Sequence, residues 1–230
     1  MAFKEKVLED LRSFLPDEAL LLNEEATSRQ AGGLHTEEPV NAKLIVRPKS
    51  TEEVSKVLSI CNKEKQSVVV HGGLTGLVYG TRTLPDQLIL SLERMNEINE
   101  VDVVGRTMTC QSGTTLQNIQ EKAEEQGMIF PLDLGARGSC SIGGNISTNA
   151  GGNRVIRFGM TRDSVLGIEA VTPDGTILSS MNRMIKNNAG YDLKQMFIGT
   201  EGTLGVVTKC VLRLREAPKS QNTALVGIED

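Results

Sequence analysis

Three stretches of the chain are built largely from glycine and small polar residues, the types that can hold an anion without using a charge. The first is Val70-His71-Gly72-Gly73-Leu74-Thr75-Gly76-Leu77, directly after a run of valines. The second runs Gly138-Ser139-Cys140-Ser141-Ile142-Gly143-Gly144-Asn145-Ile146-Ser147-Thr148-Asn149-Ala150-Gly151-Gly152. The third is Ile198-Gly199-Thr200-Glu201-Gly202-Thr203-Leu204-Gly205-Val206-Val207. Glycine admits positive φ and lets a bulky anion approach the amides. Ser, Thr and Asn add neutral donors. A buried strand running into such a loop is a physical means of holding phosphate. Neither GxGxxG nor GxxxxGK[ST] occurs, so the Rossmann fingerprint and the P-loop of nucleotide hydrolases are both disfavoured. One glycine-rich loop is as readily an ordinary tight turn. Three of them, all without lysine, point to one extended ligand lying across several loops.

These loops need elements to carry them. Ala42-Lys43-Leu44-Ile45-Val46 reads as a strand stopped by Pro48, and Ser50 or Thr51 caps a helix whose apolar stripe is Val54, Val57, Leu58 and Cys61. Val68-Val69-Val70 is a second buried strand, completing a βαβ unit that prefers a parallel sheet. Further strands are expected at 88–90 and around 107–110, with a helix from Thr114 to Gln126 ended by Gly127. Segments 164–172, 175–179 and 204–214 read as strands, the first two joined by a turn at Pro173-Asp174-Gly175. The expected fold class is α+β, with a small parallel βαβ lobe over about 41–92 and a larger mixed or antiparallel lobe with helices over 93–217. Residues 1–40 read as a helical opening whose first turns present Phe3, Val7, Leu8, Leu11, Phe14 and Leu15 on one face.

Composition excludes several classes. The 230 residues carry 25 Lys and Arg against 29 Asp and Glu, a net charge of −4, which argues against a nucleic-acid groove. Aromatic residues are 3% of the chain, so base-stacking platforms are not expected either. No apolar run approaches the roughly 18–20 residues of a membrane helix. Cys61, Cys110, Cys140 and Cys210 are far apart with no CxxC pair, which fits neither a zinc site nor a disulfide framework and suggests free thiols. His35 and His71 are isolated, and no metal site is expected. Acidic residues interleaved with basic ones near the N-terminus do not suit a signal or transit peptide, so the expected location is cytoplasmic.

The glycine segments, with Gly190-Tyr191-Asp192-Leu193 and Phe197-Ile198-Gly199-Thr200-Glu201-Gly202-Thr203-Leu204-Gly205, resemble the FAD-binding (PCMH-type) domain of the vanillyl-alcohol oxidase / p-cresol methylhydroxylase superfamily. Pro131-Leu132-Asp133-Leu134-Gly135-Ala136-Arg137-Gly138-Ser139-Cys140 and Gly190-Tyr191-Asp192-Leu193-Lys194-Gln195 are most similar to the D-2-hydroxyglutarate dehydrogenases, then to glycolate oxidase and D-lactate dehydrogenase relatives. The resemblance implies a flavoprotein oxidoreductase in which hydride from a D-2-hydroxy acid passes to flavin N5 and the electrons leave to an acceptor that the sequence does not identify. It places Gly72, Gly73, Leu74, Thr75, Gly76 and Leu77 at the FAD pyrophosphate. Asp133, Ser139, Ile142, Gly143, Gly144 and Asn145 would line the pyrophosphate and ribityl region. Thr148, Asn149 and Gly151 would lie near the flavin ring, and Glu201, Gly202, Gly205, Val206 and Val207 by the adenosine half. Covalent members carry His at the position of Thr75, so the resemblance implies noncovalent FAD.

The related dehydrogenases continue for about as long again, with a cap domain that holds the substrate. Residues 218–230 are expected to begin that domain, and this chain alone is expected to be catalytically incomplete, with no catalytic residue assigned. The alternative is a non-catalytic nucleotide-binding or interaction module. A reductase of cell-wall precursor synthesis on the same fold is disfavoured by the 131–140 stretch. His71 touches the flavin or is a plain loop histidine; Arg154, Arg157 and Arg162 form an anionic-substrate patch or pair with Asp163 and Glu169. Cys140 reads as an inert small hydrophobe, and Asp192 as a helix cap.

Overall fold

The computed structural model describes residues 4–32 and 38–227, so the readings of Phe3 and His35 fall outside the described residues. Two large sheets and a small two-stranded one organise them. The chain opens with α1 (Glu5–Arg12), strand β1 (Leu20–Leu22) and the short α2 (Glu24–Thr27), then enters β2 (Leu44–Val46), α3 (Thr51–Glu64), β3 (Val68–His71) and β4 (Leu88–Ser91). The first sheet has the order β1-β2-β4-β3. β2 and β3 both pair in parallel with β4, so β4 is inserted between the two strands of the expected βαβ unit. β1 closes the other edge antiparallel to β2. The N-terminal segment is therefore not a separate helical opening. It supplies an edge strand, and α1 packs Val7 and Leu11 into the core around α3.

Side-chain alternation builds this lobe. Leu44 and Val46, with Leu88 and Leu90, face the α1–α3 side, while Ile45 and Ile89 meet Ala26, Val40 and Ala42 on the other. The start of α3 is fixed as the sequence suggests, with Ser50 Oγ accepting from Glu53 N at 3.2 Å. Lys65 ends it in the left-handed region, φ +54°.

The second sheet contains β5 (Ile98–Asp102), β6 (Thr107–Gln111), β8 (Val165–Val171), β9 (Ile177–Ser180) and β10 (Val206–Arg213) in the order β5-β6-β10-β8-β9, antiparallel throughout. Between β6 and β8 lie α4 (Leu116–Glu124), the short β7 (Met128–Ile129), α5 (Ile142–Ser147) and α6 (Val155–Phe158). β7 pairs with β11 (Arg215–Glu216), and residues 217–227 form no further strand. The 172–176 turn is held by the Asp174 carboxylate, which accepts from Thr172 Oγ1, Thr176 N and Thr176 Oγ1. The lobes meet where α3 lies against β8 and its hairpin: Thr51 Oγ1 donates to Glu169 Oε1 at 2.5 Å, and Ser55 Oγ donates to the Gly175 carbonyl at 2.5 Å. No helix among the described residues is long and apolar enough to cross a membrane.

Candidate functional site

At the C-terminal end of β3, where ligands gather in open parallel sheets, the three glycine segments converge on one cleft of about 560 Å³. Its volume suits a small-molecule ligand. The loop 72–81 forms one wall, α5 and the turn to Gly151 another, and Glu201, Gly202 and the start of β10 a third. One hydroxyl fastens two of the walls: Ser141 Oγ accepts from Gly73 N at 3.1 Å and from Gly144 N at 3.3 Å, capping α5 as it does so. The third segment is joined to α5 through Glu201 N, which donates to the Ser147 carbonyl at 2.8 Å.

Close approach explains two of the glycines. A Cβ on Gly73 would lie 2.1 Å from the Ser139 carbonyl oxygen, and one on Gly143 2.6 Å from Ser112 Cβ. A Cβ on Gly76 would meet nothing within 4 Å among the described residues. Three residues other than glycine also hold positive φ here, Leu74 (+56°), Asn149 (+48°) and Glu201 (+53°), and all three line the cleft. Such strain collects where a structure has been shaped for a ligand.

Of the residues assigned to FAD in the sequence, all line the cleft except Asp133, Ser139, Ile142 and Gly205. Asp133 points to Arg137 and Arg154 instead. Ser139 is exposed, and Ile142 is buried in the second core. Gly205 is a packing glycine, where a Cβ would meet the Phe197 ring at 2.8 Å. Reading the motif missed Ser141, Ser147 and Gly80, which also line the cleft. Ser141 carried a signal, a serine just before Ile142-Gly143-Gly144, where a helix cap would be sought.

His71 is not among the lining residues. It is buried, and its ring Nε2 lies 2.9 Å from the Thr81 carbonyl, bracing the far end of the loop. Burial depresses its pKa, opposed by the Thr81 bond and by Glu93, so the neutral ring donates Nε2–H to that carbonyl. Cys140 borders the cleft with its thiol pushed up by burial, against the Asn145 amide beside it. Arg162 pairs with neither Asp163 nor Glu169: its guanidinium donates to Gln195 Oε1 at 3.1 Å and to the Ile198 carbonyl. Asp192 binds Lys194 Nζ at 2.6 Å and makes no side-chain cap.

A family profile described as "FAD binding domain" matches residues 42–180, more than half of the chain. The chain belongs to the FAD binding domain family. Its cofactor is FAD, and the donors and acceptors present suit it. The N–H groups of Leu74 through Val78 have no acceptor among the described residues, and Asn145 Oδ1 is buried without a partner in the cleft wall. Neutral amides and hydroxyls of this kind match a pyrophosphate and a polyhydroxyl chain.

The chain is 49% identical over 83% of its length to "Probable D-2-hydroxyglutarate dehydrogenase, mitochondrial" of Oryza sativa subsp. indica, covering 34% of that protein. It is 46% identical over 80% of its length to "Putative D-lactate dehydrogenase C713.03, mitochondrial" of Schizosaccharomyces pombe, covering 35% of it. It thus spans about a third of the curated relatives it matches. A solved structure of alkyldihydroxyacetonephosphate synthase, 22% identical, superposes with a TM-score of 0.82 over 96% of this chain and 42% of that one, which establishes the α+β fold alone. The cytoplasmic expectation is corrected by these comparisons, because both relatives are named as mitochondrial. The interleaved charges of α1 that prompted it belong to a folded helix, packed through Val7 and Leu11.

Proposed function

We propose that this chain is the FAD-holding part of a flavin-dependent dehydrogenase that oxidises a D-2-hydroxy acid, D-2-hydroxyglutarate or D-lactate, and holds its cofactor without a covalent bond. The observation that carries the reading is the convergence of three lysine-free, glycine-rich segments on one cleft, with amides along Leu74–Val78 that have no acceptor among the described residues. The names of the two relatives favour the substrate class and a mitochondrial location.

FAD supplies the acceptor for the hydride leaving the carbinol carbon. The 72–77 loop and Gly143, Gly144 and Asn145 are assigned to the pyrophosphate and ribityl chain. Thr148, Asn149 and Gly151 take the ring end; Glu201, Gly202, Val206 and Val207 take the adenosine half. Noncovalent binding is supported by the lining itself. Thr75 replaces the linking histidine of covalent relatives, His71 is turned away to Thr81, and the Cys140 thiol is held protonated.

The purified protein should show flavin absorbance that passes into the supernatant on acid precipitation; colour left in the pellet overturns the noncovalent assignment. The substrate is tested with this chain fused to the remaining part of the Oryza sativa relative, of which it covers 34%: D-2-hydroxyglutarate or D-lactate should bleach the bound flavin under anaerobic conditions. Bleaching by neither, with flavin bound, overturns that part of the reading.

A further inference from the structure

One margin of the cleft carries a charge opposite to that of the whole molecule. Leu134 and Gly151 line the cleft, and the backbones behind them touch so closely that a Cβ on Gly152 would lie 1.8 Å from the Asp133 carbonyl oxygen. That contact brings Arg137, three residues after Leu134, beside Arg154, three after Gly151. Both guanidiniums reach toward the same carboxylate, Arg137 at 3.7 Å and Arg154 at 3.5 Å from Asp133, with side chains 55% and 45% exposed. Arg157, one turn on, is exposed and stands 5.1 Å over the Phe158 ring. Two cations thus share one acid, with a third, Arg157, beside the Phe158 ring, in a chain whose net charge is −4. The carboxylate among the lining residues, Glu201, lies beside Gly80 on the 72–81 loop.

We propose that Arg137, Arg154 and Arg157 form a cationic rim that gathers the anionic substrate at the mouth of the cofactor cleft, a dicarboxylate in preference to a monocarboxylate. The inference rests on the flavin-dehydrogenase reading above and names the substrate charge it selects. Exposed ion pairs with Asp133 hold Arg137 and Arg154 only weakly, and Arg157 is exposed, so all three remain available to a diffusing anion. A cleft margin of one sign raises the local concentration of the opposite ion, in a manner screened by salt over about 8–10 Å. The attraction grows with ligand charge, which favours two carboxylates over one.

The test uses the FAD-loaded chain and needs no turnover. Flavin fluorescence is quenched at low ionic strength by iodide, an anion, and by acrylamide, which is neutral. Replacing the arginines together, Arg137→Gln, Arg154→Gln and Arg157→Gln, should lower the iodide quenching constant about twofold or more, leave acrylamide unchanged, and remove the salt dependence. Asp133→Asn should raise iodide quenching. Glutarate should protect against iodide at lower concentration than butyrate at matched ionic strength.

Unchanged iodide quenching in the triple variant overturns the rim. So does loss of bound FAD by that variant, which would make the arginines cofactor ligands. Equal protection by the two acids overturns the dicarboxylate preference. A parent chain that takes up no flavin overturns the cofactor reading itself, and shows this before any quencher is added.

Discussion

Gly73 and Ser141 are joined by a hydrogen bond of 3.1 Å between residues 68 positions apart, and the same serine oxygen caps α5 through Gly144. Ser141→Ala removes both bonds. It should destabilise the fold by about 1–2 kcal/mol and weaken FAD binding about tenfold. Ser50→Ala, which removes the equivalent cap of α3 away from the cleft, should cost about 1 kcal/mol with FAD affinity unchanged. Thermal melts and fluorescence titrations of the two variants make the comparison. Equal FAD affinities would remove the cleft role given to Ser141.

Two glycines of the cleft should respond oppositely to one methyl group. On Gly143 it meets Ser112 Cβ at 2.6 Å and the Ser112 carbonyl oxygen at 2.9 Å. Gly143→Ala should therefore lower stability by about 1–3 kcal/mol, whether or not FAD is present. At Gly76 it meets nothing among the described residues, so Gly76→Ala should melt within about 0.5 kcal/mol of the parent. Any loss at Gly76 should fall on FAD affinity, read by titration.

Stability should fall as the solution is acidified below about pH 6.5, the ordinary histidine value. His71 is buried and has a depressed pKa, so the unfolded chain takes up the proton first. Where the unfolded state binds more protons, stability falls as pH falls. The loss begins at the unfolded pKa and is complete once the pH passes the depressed folded one. Denaturant midpoints from pH 8 to 5 measure the slope, and His71→Gln should flatten it.

Thiol reactivity should rank by access. Cys110 and Cys210 face each other across β6 and β10 with their Sγ atoms 3.6 Å apart, both fully buried. The Cys61 thiol is pushed up to about 12 by burial. Cys140 borders the cleft. It should be alkylated first in the native protein, and bound FAD should slow that reaction about tenfold, as peptide mapping by mass spectrometry would show.

Local signals were legible in the sequence because their physics is local. Ser50 caps α3, and Gly127 holds the positive φ expected after α4. Asp174 organises the 172–176 turn, and the apolar runs at 44–46, 68–70 and 88–90 are three of the four strands of the first sheet. The convergence of the three glycine segments was legible through their shared composition. What the chain hid was set by distant partners. Asp133 is close in sequence to the cleft-lining Leu134 but is turned out by two arginines, one of them 21 residues on. Leu74 and Glu201 take positive φ without being glycine, a choice imposed by the walls they join. Gly205 looks like a loop glycine but serves Phe197 and the Val171 carbonyl.

The strand β1 covers the outer edge of β2, pairing Leu20–Leu22 with Leu44–Val46. The family match begins at residue 42, so trimming the chain there would remove this cover. The bared edge would offer unpaired N–H and C=O groups along three buried aliphatic residues, a template for strand addition between molecules. Strand β1 thus acts as a guard against self-association: a domain shortened past it could retain every wall of the FAD cleft and still be lost to aggregation.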